Sequence, residues 1–394
     1  MTSDLNTRYG SDQELRNLCG ELTAAGIQPM ADIVINHRCA DTQDADGNWR
    51  IFSNVTFPPK KGEELNFDKT WGPWAIVSND PVFHGEGNSD TGDSFSAAPD
   101  LDHANVRVRE ELTAWLKWLK DDVGFTGWRF DYAKGYAARF VKEYAENTVG
   151  LGAMNVAEYW PEASWEPDGS LSTCQNAMRQ SMCDWLDAAD GATAVFDFTT
   201  KAVLQEAVGK CEYWRLADAN GKPPGLIGWW PSRSVTFVDN HDTGGSGAAA
   251  TEADGRMKDG SDGSYGQGHW RFPPEHRMVG YAYILSHPGI PCLFWPHAMR
   301  FSDNNSMPEE IAALCAVRRE AGVRADSPVK IMISDTDLYL ANIQGIRSEL
   351  IVKLGPRYDM PQELTPDEKQ GWVIATSGKD YAIWRRARGG GGAR

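Results

Sequence analysis

The residues best equipped to do chemistry stand at the ends of apolar runs. Asn36 and His37 close "MADIVINH", Arg129 and Asp131 lie in "GWRFDYAKGY", Glu158 ends "MNVAE", and Asn240, His241 and Asp242 end "SVTFVDNHD". Arg129 and Asp131 are two positions apart, so on a strand both side chains face the same way. Taken alone, such a pair is most often a structural salt bridge, because a charge stripped of water is costly unless paired. The alternative is a guanidinium that keeps Asp131 ionised for nucleophilic attack. Three carboxylates from three strand ends, beside one arginine and two histidines, suit cleavage of a glycosidic bond. That reaction needs one ionised carboxylate and one that holds a proton. Arg129 supplies the first condition for Asp131. Glu158, flanked by Ala157, Tyr159 and Trp160, is expected to meet the second, with desolvation raising its pKa. A metal-dependent hydrolase built on His37, His241 and the aspartates is the competing account, but no H-x-H or H-E-x-x-H pairing is present.

The order of elements explains how these residues could share one rim. "DQELRNLCGELTAAG" reads as a helix leading into the strand at 30–37. "VREELTAWLKWLKDDVGF" places Leu112, Trp115, Leu116 and Leu119 on one helical stripe. Strands at 127–133, 154–160, 193–200, 234–242 and 289–295 then alternate with helices. Near-continuous apolar strands alternating with helices predict a parallel sheet covered on both faces, and barrels of this kind keep their chemistry at the C-terminal ends of the strands. Six such strands can be counted, where a closed barrel of this class needs eight. Residues 38–103, rich in Gly, Asp, Asn and Pro, are too long for an ordinary loop and read as an inserted lobe. After about residue 325, short alternating strands predict an antiparallel C-terminal sheet. The domain reading is therefore 1–37 for the start of the barrel, 38–103 for the lobe, 104–324 for the rest of the barrel, 325–386 for the β domain and 387–394 for a disordered tail. The low-complexity stretch 244–268 is expected to be a mobile loop.

Composition narrows the function further. The chain has 394 residues, 41% of them hydrophobic, and a formal net charge of −16, which argues against a nucleic-acid partner and suits cations or a neutral ligand. Sixteen tryptophans offer platforms for flat sugar faces. Seven cysteines, odd in number and without a C-x-x-C, form neither a disulfide framework nor a zinc pattern. No apolar run is long enough to span a membrane, and "MTSDLNTRYGSD" lacks the apolar centre of a signal peptide, so the compartment is left open. "NVT" at 54 and "NNS" at 304 fit the glycosylation pattern but carry little weight.

"DIVINHR" (32–38), "GWRFDYAKGY" (127–136), "VAEYW" (156–160) and "FVDNHD" (237–242) resemble the four signature segments of alpha-amylases. The similarity is greatest to plant and green-algal members and extends through "DTGDSFSAAPDLDH", "FDFTTK", "GLIGWWPSRSVTFVDNHDTG" and "LGPRYD". It implies endo-hydrolysis of alpha-1,4-glucosidic bonds in starch and related glucans with retention of configuration. By position, Asp131 matches the nucleophile, Glu158 the general acid/base and Asp242 the third carboxylate, which stabilises the transition state. His37, Arg129, Lys134, Trp160 and His241 match residues that surround the sugar. Trp229 and Trp230 match a surface pair that stacks on starch, with packing against the barrel as the other reading, and Tyr358 matches a second surface contact. The family also holds structural calcium between lobe and barrel, with Asn36, Asp90 and Asp100 and the backbone carbonyls of Asp93 and Gly135 as the matching ligands. Hard oxygen donors of this kind suit calcium. A monomer when complete is expected.

The pattern is broken in places. The family's first strand, its helix and its second strand precede the segment resembling "LNTRYG", which here follows Met1 by a few residues. The resemblance therefore implies a (β/α)8 TIM barrel lacking its first two strands, with two open sheet edges that favour association. A catalytically impaired fragment, or a remnant that binds only glucan or calcium, is the alternative to a working hydrolase. Ser94 stands where related plant enzymes carry an acid, and "FWPH" (294–297) replaces a more usual "FYDH".

Overall fold

The computed structural model describes residues 5–53, 70–243, 271–299 and 307–387. The expected mobile loop at 244–268, the tail from 388 and both glycosylation triplets lie wholly or partly outside these residues. The chain forms two compact units, Met1–Trp160 with Asp184–Val195, and Pro161–Cys183 with Phe196–Arg394.

The first unit opens with α1 (Asp12–Ala24), started by a capping box in which Ser11 accepts the Glu14 N–H while the Glu14 carboxylate accepts the Ser11 N–H. Strand β1 (Met30–Ile33) follows. The chain then leaves through two short antiparallel strands, β2 (Thr42–Gln43) and β3 (Trp49–Ile51), and returns as α2 (Val106–Trp118). Residues 36–38 and 99–101 pair where this excursion departs and returns: the Leu101 N–H reaches the Asn36 carbonyl at 2.8 Å and the Arg38 N–H the Pro99 carbonyl at 3.0 Å. The stripe read on α2 faces inward, with Leu112, Leu116 and Leu119 buried and Trp115 half-buried. Strand β4 (Gly127–Phe130), helix α3 (Ala138–Asn147) and strand β5 (Val156–Ala157) follow, then α4 (Asn176–Ala188) and β6 (Ala194–Phe196). The parallel ladder pairs Asp32 with Arg129, Arg129 with Val156 and Val156 with Ala194. All four residues of β4 are buried, as a strand covered on both faces requires.

The second unit continues with α5 (Phe198–Lys210), β7 (Ser234–Phe237), α6 (Arg277–Ser286) and β8 (Ile290–Cys292), with β7 and β8 parallel. A short α7 (Trp295–Ala298) and α8 (Pro308–Ala321) come next; neither is part of the sequence reading. Five strands, β9 (Val329–Ser334), β10 (Tyr339–Gln344), β11 (Ser348–Leu354), β12 (Val373–Gly378) and β13 (Tyr381–Ala387), form an antiparallel sheet in the order β12–β13–β11–β10–β9. The fold class is therefore as expected: parallel strands alternating with helices, six of them among the described residues, followed by an antiparallel sheet. No described helix is long and apolar enough to cross a membrane.

The strand expected over 193–200 is cut short, because Asp197 caps α5. Its carboxylate, fully buried, accepts from the Thr200 N–H and hydroxyl, the Ile227 N–H and the Ser234 hydroxyl at 2.6–3.0 Å. Four donors on one buried carboxylate are left unmatched if it is removed, and each unsatisfied buried group costs roughly 1–3 kcal/mol. Asp197→Ala is expected to destabilise by at least about 3 kcal/mol, read from the urea midpoint, whereas a loss under about 1 kcal/mol contradicts this role for the cap.

Candidate active site

In the first unit the geometry centres on Arg129, which is 8% exposed. Its Nη1 contacts Asp131 Oδ1 at 2.5 Å and Asp32 Oδ1 at 2.7 Å, while Nη2 contacts Glu158 Oε1 at 2.9 Å. One guanidinium thus holds three carboxylates from three strands. Ladder register brings them together: Asp32 sits beside Arg129, and the Glu158 N–H bonds the Phe130 carbonyl at 2.9 Å, while the Asp131 N–H bonds the Ile33 carbonyl at 3.1 Å. Burial would lower the pKa of the guanidinium, but the charges of Glu158, Asp32 and Asp131 outweigh it and hold Arg129 above its ordinary value. It stays charged at any pH at which the protein folds.

Tyr132 turns the chain after β4. Its backbone is left-handed (φ 43°), a conformation that a bulky residue adopts only under constraint from its surroundings. There its N–H points to Glu158 Oε2 at 3.2 Å, and the Ala133 N–H reaches the Glu158 carbonyl at 3.1 Å. The Glu158 side chain is buried, and an arginine and a backbone N–H hold it. Tyr159 is stacked on Trp185, with centroids 5.1 Å apart.

His37 lies against Phe95, rings 3.8 Å apart and nearly parallel, and burial lowers its pKa although the Asp131 charge opposes this. It therefore remains a neutral imidazole at physiological pH. Lys134 is shared between Asp93 at 3.6 Å and the face of Tyr132 at 5.3 Å. Trp160 is half-buried.

A second cluster forms where the 36–38 and 99–101 segments meet the turn after β4. Asn36 donates from Nδ2 to Asp100 Oδ1 at 2.9 Å, and Asp100 Oδ2 accepts from the Phe95 N–H at 2.7 Å. Asp90 Oδ1 accepts from the Thr91 and Gly92 N–H groups, while its Oδ2 is buried without a hydrogen-bond partner. Burial, together with the charges of Asp90 and Asp80, pushes the Asp100 carboxyl up to about 7; burial likewise raises Asp90. Among the described residues no Lys or Arg pairs with either. Three backbones converge here: a Cβ on Gly135 would fall 2.1 Å from Asn36 Oδ1, and one on Gly92 would fall 2.4 Å from the Lys134 carbonyl oxygen. Buried, mutually repelling oxygens and an orphaned carboxylate oxygen are a donor set that fits a hard divalent cation. Among the described residues no three His, Cys, Asp or Glu side chains form a cluster able to hold a metal by themselves, so such an ion would also need the Asn36 amide oxygen and backbone carbonyls such as those of Asp93 and Gly135.

In the second unit Asn240, His241 and Asp242 follow β7. The Asn240 Oδ1 accepts from the Asp242 N–H at 3.0 Å and the Thr243 N–H at 2.9 Å, closing a tight turn, and His241 Nε2 lies 3.3 Å from Asp242 Oδ2. Trp229 is 39% exposed, with the Arg179 guanidinium 3.9 Å over its ring; Trp230 is half-buried. One face of Trp229 is thus covered by the guanidinium. Tyr358 is 74% exposed and lies against Lys353. Sequence reasoning missed Asp32 and Tyr132. Asp32 lies inside a quoted segment, one residue before the end of β1, and only the ladder shows it opposite Arg129.

A family model described as "Alpha amylase, catalytic domain" matches residues 2–166, and one described as "Alpha-amylase C-terminal beta-sheet domain" matches residues 320–385. Over 97% of its length the chain is 39% identical to probable alpha-amylase 2 of Arabidopsis thaliana, covering 80% of that protein. It is 40% identical, again over 97% of its length, to the chloroplastic alpha-amylase 3 of the same plant, but spans only 38% of that relative. Among solved structures, the alpha-amylase of Geobacillus thermoleovorans complexed with acarbose superposes with a TM-score of 0.59 at 14% identity, covering 98% of this chain and 83% of that one. The cyclomaltodextrin glucanotransferase CldA gives 0.61 at 15% identity, over 96% of this chain and 79% of that one. At such identities these structures speak for the fold alone.

Removing the guanidinium leaves three carboxylates without their cation, and breaking a buried pair from one side costs about 3–5 kcal/mol. Arg129→Met is expected to lose that much at neutral pH in chemical denaturation. Arg129→Lys should recover only part of it, because an ammonium cannot address three oxygens from two fixed nitrogens. Full recovery by lysine would contradict the fork geometry.

Proposed function

The chain belongs to the alpha-amylase family of glycoside hydrolases, and from that premise we propose that it cleaves alpha-1,4-glucosidic bonds within starch-like glucans with retention of configuration. The observation that supports this most directly is the single guanidinium shared by Asp131 and Glu158. Two carboxylates that both reach one arginine are close neighbours, as retaining enzymes require, with carboxyl groups roughly 5–5.5 Å apart. Asp131 is the nucleophile, kept anionic by Nη1 of Arg129. Glu158 is the acid and then the base. Nη1 of Arg129 meets Asp131 and Nη2 meets Glu158, so the two carboxylates are held by different nitrogens of one guanidinium. The nucleophile attacks the anomeric carbon as Glu158 protonates the departing oxygen; water, deprotonated by Glu158, then releases the glycosyl group. Asp242 and His241 carry the third carboxylate and a sugar contact of the family pattern, and His37, neutral, donates to a sugar hydroxyl. Lys134 and Trp160 are assigned sugar contacts beside them. Trp229, with Trp230, and Tyr358 are assigned surface glucan contacts, Trp229 and Tyr358 being exposed. Residues 38–103 form the inserted lobe of a chain divided as the sequence reading divides it.

Calcium is assigned to the cluster of Asn36, Asp90 and Asp100, with the Asp93 and Gly135 carbonyls. When bound it would neutralise the repelling oxygens and tie the 90–100 segment to the turn after β4.

The reaction is tested by following the product anomer by NMR: an alpha product first is expected, and a beta product first overturns the retaining assignment. Asp131→Asn and Glu158→Gln should each lower kcat by at least about 100-fold with the fold intact. The cation is tested by melting. Below about pH 7 the folded, metal-free protein holds a proton on Asp100 that the unfolded chain loses near pH 4, so the carboxylate costs stability as pH rises through that window. Calcium, competing with that proton, should raise Tm more at about pH 8 than at about pH 5. Asp100→Ala should remove the response. A Tm indifferent to calcium and chelator at both pH values excludes the site.

A further inference from the structure

The turn that carries Asp242 is anchored from beneath by buried polar groups that the proposed reaction does not use. Lys201, on the inner side of α5, is fully buried, and Asp239 and Thr243 are 2% and 1% exposed. The Lys201 ammonium donates to the Val238 carbonyl at 2.8 Å and Gln205 Oε1 at 2.9 Å, and stands 3.3 Å from Asp239 Oδ1. The same Asp239 oxygen accepts from the Thr243 hydroxyl at 3.0 Å and the Phe272 N–H at 3.1 Å. Thr243 Oγ1 in turn accepts from the Asn240 N–H at 3.1 Å, and Asn240 Oδ1 accepts from the N–H groups of Asp242 and Thr243. Arg277 Nε lies 3.9 Å from the second Asp239 oxygen.

A buried ion pair is weak evidence for stability, since desolvation can cancel its attraction, and such pairs are better attested as devices of conformational specificity. Here the network reaches the turn through the Val238 carbonyl and the N–H groups of Asn240, Asp242 and Thr243. A hydroxyl that donates to one group and accepts from another fixes both in direction, which an apolar side chain of the same size cannot do.

We infer that Lys201, Asp239 and Thr243 are positioning residues that hold the turn bearing His241 and Asp242 in its working geometry. The inference rests on the reading of Asp242 as the third carboxylate. Thr243 is the accessible point of test, because valine keeps its shape and removes only the hydroxyl. Thr243→Val should lower kcat by about 10- to 100-fold, the scale of an ångström-sized misplacement, with KM changed little. Thr243→Ser should restore most of it. In an Asp242→Asn background the valine should cost nothing further, because the two changes disable one element. If Asp242→Asn abolishes turnover while Thr243→Val matches the parent, or if the valine costs as much in the Asp242→Asn background, the positioning role is wrong and the reading of Asp242 stands. If Asp242→Asn leaves turnover intact, that reading fails, and amide exchange decides the positioning role. Exchange at Asp242 and Thr243 should then quicken at least about tenfold in the valine variant while β7 amides stay protected. Unchanged exchange overturns it.

Discussion

Three acidic side chains on adjacent parallel strands would repel one another in a partly buried site. A single guanidinium makes the arrangement possible, since Arg129 reaches Asp32, Asp131 and Glu158 from two nitrogens. The rest of the first unit can be read as what that constraint demands. Strand β4 is buried throughout, so that Arg129 projects from a fixed base, and β1 and β5 flank it in a register that sets Asp32 beside the arginine and Glu158 one step beyond the ladder. The left-handed Tyr132 bends the chain at the position where its N–H meets Glu158. A lysine could supply the charge but not the two-nitrogen fork that addresses three carboxylates at once.

The neighbouring cluster solves the opposite electrostatic problem. Asp100 accepts from Asn36, Asp90 carries a buried oxygen without a hydrogen-bond partner, and no lysine or arginine pairs with either among the described residues. Burial raises both carboxyls toward protonation. At Gly92 and Gly135 the chain segments approach so closely that a Cβ would fall 2.4 and 2.1 Å from neighbouring oxygens. In the second unit, Lys201 and Asp239 form a buried pair of opposite charges whose bonds run into the turn after β7. Two elements of the proposed chemistry thus rest on full-charge partners, with the cation side chain fixed by packing.

Much of this was legible in the sequence. Apolar strands read in order, with polar residues at their ends, gave six parallel strands and the candidate rim residues, and the signature segments indicated roles for them. Strand ends were less legible: Phe198 and Thr199 look like strand residues, yet the buried Asp197 cap makes them the start of α5. Cross-strand register was not legible at all, which is why Asp32 and the contact between Arg129 and Glu158 went unread. Hydrophobic neighbours in sequence say nothing about what the next strand presents. Thr243 illustrates the same limit, since nothing in "DNHDTG" distinguishes a hydroxyl that anchors a turn from one that faces water.

The central claim is that Arg129 reserves Asp131, and not Glu158 or Asp32, for bond formation to the sugar. Incubating the Glu158→Gln variant with an activated fluorosugar of the maltosyl type, followed by peptide mass spectrometry, tests it most directly, because a retaining enzyme that lacks its acid/base accumulates the covalent glycosyl intermediate. The account expects the added glycosyl mass on the peptide carrying Asp131 and on that residue within it. A label on Asp32 or Asp242, or a fully folded variant that consumes the fluorosugar without acquiring any label, would contradict it.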